Sequence, residues 1–335
     1  MRDRWFAGAL VVPFVLGIAS APTHAGTEAF TFRDPEIVES SGIALVDGLV
    51  VTTNDSGDTG RVFSVDPDTG ETVGVTQWEE DPDDVEALAP AGDGAVWVAD
   101  IGDNSESRDS IEVTRVPVGR GDRTVDEETY DLVYPDGAQN AESLFTDPGG
   151  RLYVATKSVF GGTLYAAPRT LAADDPNRLQ ELGPVLPIAT DGAFFPDGEH
   201  LVVRDYSRAV VYSFPGLAEV GSFRLPDQEQ GEGIVVDDDG SLLVTSEGQF
   251  APVLRVPLPP DVRRAMRAGA VSPSSGPSSS SGPSASPSAG STAGSTAGDE
   301  AAESEQTERA WWPWLLTAGV ALGGLVVLVR SLRPR

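Results

Sequence analysis

The chain has 335 residues, enough for one large domain with appendages, and 52 acidic against 23 basic residues give a formal net charge of −29. That balance argues against nucleic acid or anionic lipid as partners of the folded part, since both need basic patches. There is no cysteine, which removes disulfides, thiolate metal sites and a cysteine nucleophile. His24 and His200 are the only histidines and Lys157 the only lysine, so a histidine-dependent triad or a His-rich metal site is disfavoured.

Residues 1–25 read as a secretory signal: Arg2 and Arg4 precede an apolar run from Trp5 to Ile18, and Thr23-His24-Ala25 offers small residues for cleavage before Gly26. Ala19-Ser20-Ala21 is the alternative cleavage site, and an uncleaved anchor would keep the same orientation. At the other end, residues 311–329 are apolar throughout, with Trp311, Trp312 and Trp314 first and Arg330, Arg333 and Arg335 after. At ~1.5 Å per residue this run spans roughly 28 Å, about one hydrocarbon core. The reading is a single transmembrane helix with the body outside and a cytoplasmic tail at 330–335. Residues 263–310, rich in Ser, Pro, Gly and Ala, carry too little apolar content to fold and read as a disordered stalk.

The body, residues 26–262, is a ladder of short β runs separated by Asp-Gly turns such as Asp47-Gly48, Asp93-Gly94 and Asp197-Gly198, the hairpin signal. Five units share one motif, an oxygen-bearing residue, a small residue and an apolar residue: Ser41-Gly42-Ile43, Glu86-Ala87-Leu88, Glu142-Ser143-Leu144, Asp191-Gly192-Ala193 and Glu232-Gly233-Ile234. The motif starts are 45, 56, 49 and 41 residues apart. A period of this size with four strands per unit predicts an all-β fold, a β-propeller of five blades, with six as the alternative. The fifth unit lacks a fourth strand, and Ala29-Phe30-Thr31-Phe32 is the natural supplier; borrowing it would close the ring.

In such a fold the first strand of each blade starts at the face to which the second returns. The motif residues Ser41, Glu86, Glu142, Asp191 and Glu232 should therefore ring one mouth of the central channel. Asn54, Asp55, Asp100, Lys157, Arg204, Asp205 and Glu247, which end the second strands, should surround them as ligand-binding candidates. Four carboxylates in a narrow channel need compensation, either protons, intruding basic groups or a hard cation. Ca²⁺ is the cation such oxygen ligands suit best, ahead of Mg²⁺. The competing reading has the acids capping backbone amides, with no metal at all. Lys157, Arg204 and Arg208 could hold a ligand's phosphate or carboxylate, or merely neutralise the ring.

Thr53-Asn54-Asp55-Ser56-Gly57-Asp58, Ala99-Asp100-Ile101-Gly102-Asp103-Asn104, Tyr134-Pro135-Asp136-Gly137, Ala141-Glu142-Ser143-Leu144 and Ala155-Thr156-Lys157 resemble a group of exported, membrane-anchored bacterial β-propeller proteins. That resemblance implies fold and export and brings no activity. The acidic ring is more loosely similar to that of the calcium-activated nucleotidases, or apyrases, five-bladed propellers with a central Ca²⁺ held by Ser and Glu. Ser41, Glu86, Glu142 and Glu232 match that order, and Asp191 stands where that family has a Ser. Two functions are weighed. One is a cell-surface binding or sensing module for a small molecule, a polymer or a surface protein. The alternative is a Ca²⁺-dependent phosphoesterase in which Glu142 or Asp55 activates water. Glycoside hydrolysis is a distant third, with Trp97 and Tyr206 as the available sugar-stacking aromatics.

Overall fold

The computed structural model describes residues 26–269 except Ser56 and Glu127. The predicted signal peptide, the stalk beyond Gly269, the transmembrane run and the tail lie outside the described residues. Among the described residues no helix is long and apolar enough to cross a membrane.

The described chain is a five-bladed β-propeller with one short helix. The innermost strands are Ser40–Val46, Val85–Gly92, Ala141–Thr146, Asp191–Phe194 and Gly231–Val236, one from each of blades 1 to 5 in chain order. Each pairs with a second strand: Leu49–Asn54, Ala95–Asp100, Leu152–Thr156, His200–Arg204 and Leu242–Ser246. Asp47 and Gly48, with φ of 50° and 77°, show why the first hairpin turns where it does. Two successive positive φ values make the turn whose twist matches that of the flanking strands, and Asp and Gly tolerate it.

The predicted loan of a strand is what closes the ring. Thr27–Thr31 pairs antiparallel with Pro252–Val256, with Thr27 opposite Arg255 and Thr31 opposite Pro252. Blade 5 thus takes its outer strand from the chain's beginning, and residues 32–39 lead straight into blade 1.

The core is five separate apolar clusters, one at each interface between blades. Blades 1 and 2 meet through Ala44, Val51, Val85 and Val98; blades 2 and 3 through Ile111, Leu132, Leu144 and Tyr165. Phe145 and Tyr153 pack against Phe194 and Leu201 between blades 3 and 4, and Val202 and Val211 against Ile234 and Val244 between 4 and 5. Phe30, Phe32, Ile43 and Phe63 meet Val235 and Val253 across the closing interface. The small middle residue of each motif follows from this packing. A Cβ on Gly42 would lie 2.4 Å from the Leu88 amide nitrogen, and one on Gly233 2.8 Å from Ile43, because inner strands converge toward the axis.

The helix Pro260–Gly269 runs past position 262, where the sequence reading ended the body and began the stalk. Val262 and Met266, four residues apart and so on one helix face, are buried with Leu225 and Leu258. Gly221 leaves room for Val262, whose Cγ2 would stand 2.9 Å from a Cβ there. Two apolar residues in a polar stretch are a weak periodic signal, which is why the helix was not legible.

Candidate functional site

The motif residues and the second-strand ends meet at one end of the channel. The register places Ser40 opposite Asn54, Val85 opposite Asp100, Ala141 opposite Thr156, Asp191 opposite Arg204 and Gly231 opposite Ser246.

In four blades the ladder slips at the motif. Pairing jumps from Ser40 to Gly42, Val85 to Ala87, Ala141 to Ser143 and Gly231 to Ile234, so Ser41, Glu86, Glu142 and Glu232 each stand in a bulge. A bulge bends the strand and re-aims the side chain that it leaves unpaired. Blade 4 has no such slip, and Asp191 pairs in register with Arg204. Its carboxylate turns inward instead, accepting from the amides of Gly192 at 2.8 Å and Ile234 at 2.7 Å, and the residue is only 1% exposed. This is the backbone-capping role weighed from sequence. The neighbour Thr190 stands where Ser41 stands in blade 1. Thr190 Oγ1 donates to the Glu232 carbonyl of the next blade at 3.0 Å, as Ser41 Oγ donates to that of Glu86 at 2.8 Å.

Among the described residues, Asp55, Asp84 and Glu86 bring carboxylate oxygens within 4.8 Å of one another and could hold an ion. Gly102 forms its floor: a Cβ there would stand 2.2 Å from Asp84 Oδ2 and 2.8 Å from Glu86 Oε1. Ser41 Oγ stands behind, 3.5 Å from Glu86 Oε2. Asp84 was not among the sequence candidates. It lies on the connection into the inner strand of blade 2, two residues before Glu86, where the repeated motif gives no signal. Asp100 holds it in place, its carboxylate accepting from the amides of Asp83 at 2.8 Å and Asp84 at 3.0 Å.

Electrostatics here favour protons or a cation. Burial, then the charges of Glu142, Asp55 and Asp84, push the Glu86 carboxyl far above the usual range, against a small opposing pull from Lys157. Burial likewise raises Glu142, offset by its hydrogen bond from Lys157. Glu232 is pushed up to about 7 by burial and by Glu142, against its bond from Gln230. For Lys157 burial alone would lower the ammonium, but the Glu142 and Tyr206 interactions outweigh it and raise it. Its Nζ also lies 5.2 Å from the centre of the Tyr206 ring, a cation–π contact at the mouth.

The outer candidates divide. Asp55, Lys157 and Glu247 stay at the mouth, Glu247 bonded to Gln230. Asn54 is a loop staple, its side chain bonded to the amides of Val38 and Glu39 and the carbonyl of Glu36. Asp100 also pairs with Arg108 at 2.5 Å, and Asp205 caps the amides of Ser207 and Arg208. Arg204 is fully buried. Its guanidinium donates to the carbonyls of Gly233 at 3.0 Å and Thr245 at 3.3 Å and to Gln228 Oε1 at 3.3 Å. Burial lowers it to about 10, opposed by Glu232 and Asp191.

No family model and no curated protein matches the sequence. Among solved structures, glutaminyl cyclase of Myxococcus xanthus is 12% identical over 71% of this chain and 99% of its own, with a TM-score of 0.45. A gluconolactonase of Xanthomonas campestris is 14% identical over 71% and 99%, with a TM-score of 0.40. A glucose dehydrogenase is 13% identical over 70% and 100%, with a TM-score of 0.44.

Proposed function

We propose that the chain is a binding or sensing module, a β-propeller held on the outer side of a cell membrane, whose mouth takes a divalent cation and, through it, a ligand. The observation that carries this reading is the convergence of Asp55, Asp84 and Glu86 over the side-chain-free floor at Gly102. The donor set is hard oxygen with neither His nor Cys, which suits Ca²⁺ before Mg²⁺ and does not suit Zn²⁺. The strong upward push on Glu86 supports it too, since a cation would offset the repulsion that otherwise keeps a proton there. Asp55, Asp84 and Glu86 would hold the ion, with Ser41 Oγ behind them. A bound Ca²⁺ supplies open coordination positions for a ligand's oxygen atoms. Lys157 and Tyr206, at the same mouth, would orient such a ligand, and Glu142 fixes the lysine. The outward placement rests on the secretory signal and on the apolar run closed by arginines.

Thermal unfolding of the body, residues 26–269, stripped with EGTA and then titrated with each ion, tests the cation. A ligand present at 100 times its dissociation constant adds about 2.7 kcal/mol, which raises the midpoint by several degrees. The expected result is a rise with Ca²⁺ that is lost in Asp84→Asn and Glu86→Gln. No rise with either ion removes the cation. Phosphate release from nucleotides in the same titration would replace binding by hydrolysis.

A further inference from the structure

Among the described residues four large apolar side chains stand exposed: Val38 at 40%, Val159 at 69%, Phe160 at 99% and Phe250 at 49%. Their places in the chain are not scattered. Val38 leads into the inner strand of blade 1, and the other three lie on connections from second to third strands, in blades 3 and 5. By the order of strands, all of these segments join the blades at the mouth end. The turn-side end of the channel is lined instead by Ile43, Leu88, Phe145 and Ile234, which are all buried.

Val159 and Phe160 form the tip of a short loop whose base is pinned. The Lys157 amide donates to the Asn140 carbonyl at 2.9 Å, the Ser158 carbonyl accepts from Ile188 at 3.0 Å, and the Gly162 amide donates to Leu186 at 3.2 Å. Two apolar side chains are therefore held out on an anchored turn. Two adjacent apolar side chains held out on a pinned turn are poised for contact with an apolar partner group.

The charge on the same end selects the partner. Residues 79–84 hold five acids in six positions, Glu79, Glu80, Asp81, Asp83 and Asp84, with Pro82 between them. The first four are exposed, and the fifth belongs to the mouth cluster. Behind this segment, between it and the strands of blade 2, a cleft of about 100 Å³ is lined by Trp78 and Val85 and by Glu80, Asp83, Asp100 and Glu112. A second copy of this chain would bring like charge against like, and an anionic surface would be repelled in the same way.

We propose that the mouth end docks a cationic polypeptide segment in which basic residues alternate with apolar ones. Val159 and Phe160 take its apolar side chains, and the acids of 79–84 take its Lys or Arg groups. This names the partner class for the binding-module reading and rests on that reading, although it does not require the cation.

The test uses the full chain and three synthetic peptides of equal length, alternating Lys–Leu, Lys–Ser and Glu–Leu, with affinities read in EGTA and in Ca²⁺. Lys–Leu should bind tightest and Glu–Leu not at all. The double variant Val159→Ser with Phe160→Ser should weaken Lys–Leu by about tenfold or more while leaving Lys–Ser unchanged, as expected where apolar anchors carry the contact. Glu79→Gln with Glu80→Gln and Asp81→Asn should weaken both lysine peptides. These side chains are exposed, so the variants keep the fold, and an unchanged unfolding midpoint in EGTA verifies it. Undiminished affinity of the double variant for Lys–Leu, or equal binding of Lys–Leu and Lys–Ser by the unmodified chain, overturns the proposal. So does binding to neutral phosphatidylcholine vesicles, or self-association, that is lost in the double variant while the peptides do not bind. Peptide binding that persists in EGTA with no Ca²⁺ response would remove the cation and leave the docking surface standing.

Discussion

Gly102 has no side chain of its own at the mouth, yet it decides where two carboxylates can stand. The three atoms nearest a methyl group there, Oδ2 and Cγ of Asp84 and Oε1 of Glu86, belong to those two side chains, so the carboxylates would have to give way. Gly102→Ala should therefore cost little stability in EGTA yet abolish the rise in midpoint with Ca²⁺, which parallel melts with and without the ion will show. A large loss of stability in EGTA would mean that the backbone at 102, not the carboxylates, is what the glycine serves. The recurrence of the motif was legible because its chemistry repeats at the blade period. Asp191 stands apart from the other four: it caps backbone amides, while its neighbour Thr190 makes the bond to the next blade that Ser41 makes in blade 1. What separates them is the bulge, present at Ser41, Glu86, Glu142 and Glu232 and absent at Asp191. A bulge is a matter of strand register and leaves little trace in composition. Arg204 was hidden for a related reason. Nothing in Val203-Arg204-Asp205 says whether the guanidinium turns to solvent or, as it does, to carbonyl groups inside.

At the scale of strands and blades the sequence was more informative. Turn residues and alternating apolar runs located the strands, and a missing fourth strand in the last unit pointed to the first strand of the body. Closure by Thr27–Thr31 makes the ring's stability depend on residues far apart in sequence. Phe30 is buried in the closing cluster and lies edge-on to Phe32 at 5.6 Å. Glu28, two positions earlier, is exposed, and its side chain accepts a bond from Thr31 in the same strand. Phe30→Ala should cost about 3 kcal/mol in urea unfolding, in the range found when a buried aromatic is removed, and Glu28→Ala within about 0.5 kcal/mol. Similar costs for the two would mean that the borrowed strand adds no stability to the ring.

For the whole molecule, a few of the many acids stand where they are least tolerated. Glu86, Glu142, Glu232 and Asp191 are all raised, burial being the first cause in each. An acid whose folded pKa exceeds its unfolded one binds more protons when folded, so its ionisation opposes folding. The penalty is absent below the ordinary glutamate value of 4.5 and grows as pH rises, for Glu232 up to about 7 and for Glu86 beyond it. Asp58 and Asp103 act the other way: burial alone would raise them, but hydrogen bonds outweigh it and lower both, so their contribution is present above 3.8 and lost only in stronger acid. The ion-free protein should therefore be most stable near ~pH 5 and lose stability toward ~pH 8, a range in which the contributions of Asp58 and Asp103 no longer change. With Ca²⁺ the slope should flatten, because the ion replaces protons at the mouth. The same linkage requires binding to tighten with pH and to release protons, measurable as a buffer-dependent heat in titration calorimetry. A midpoint in EGTA that climbs from ~pH 5 to ~pH 8 would mean that the mouth acids are already compensated within the protein, leaving no electrostatic demand for a cation.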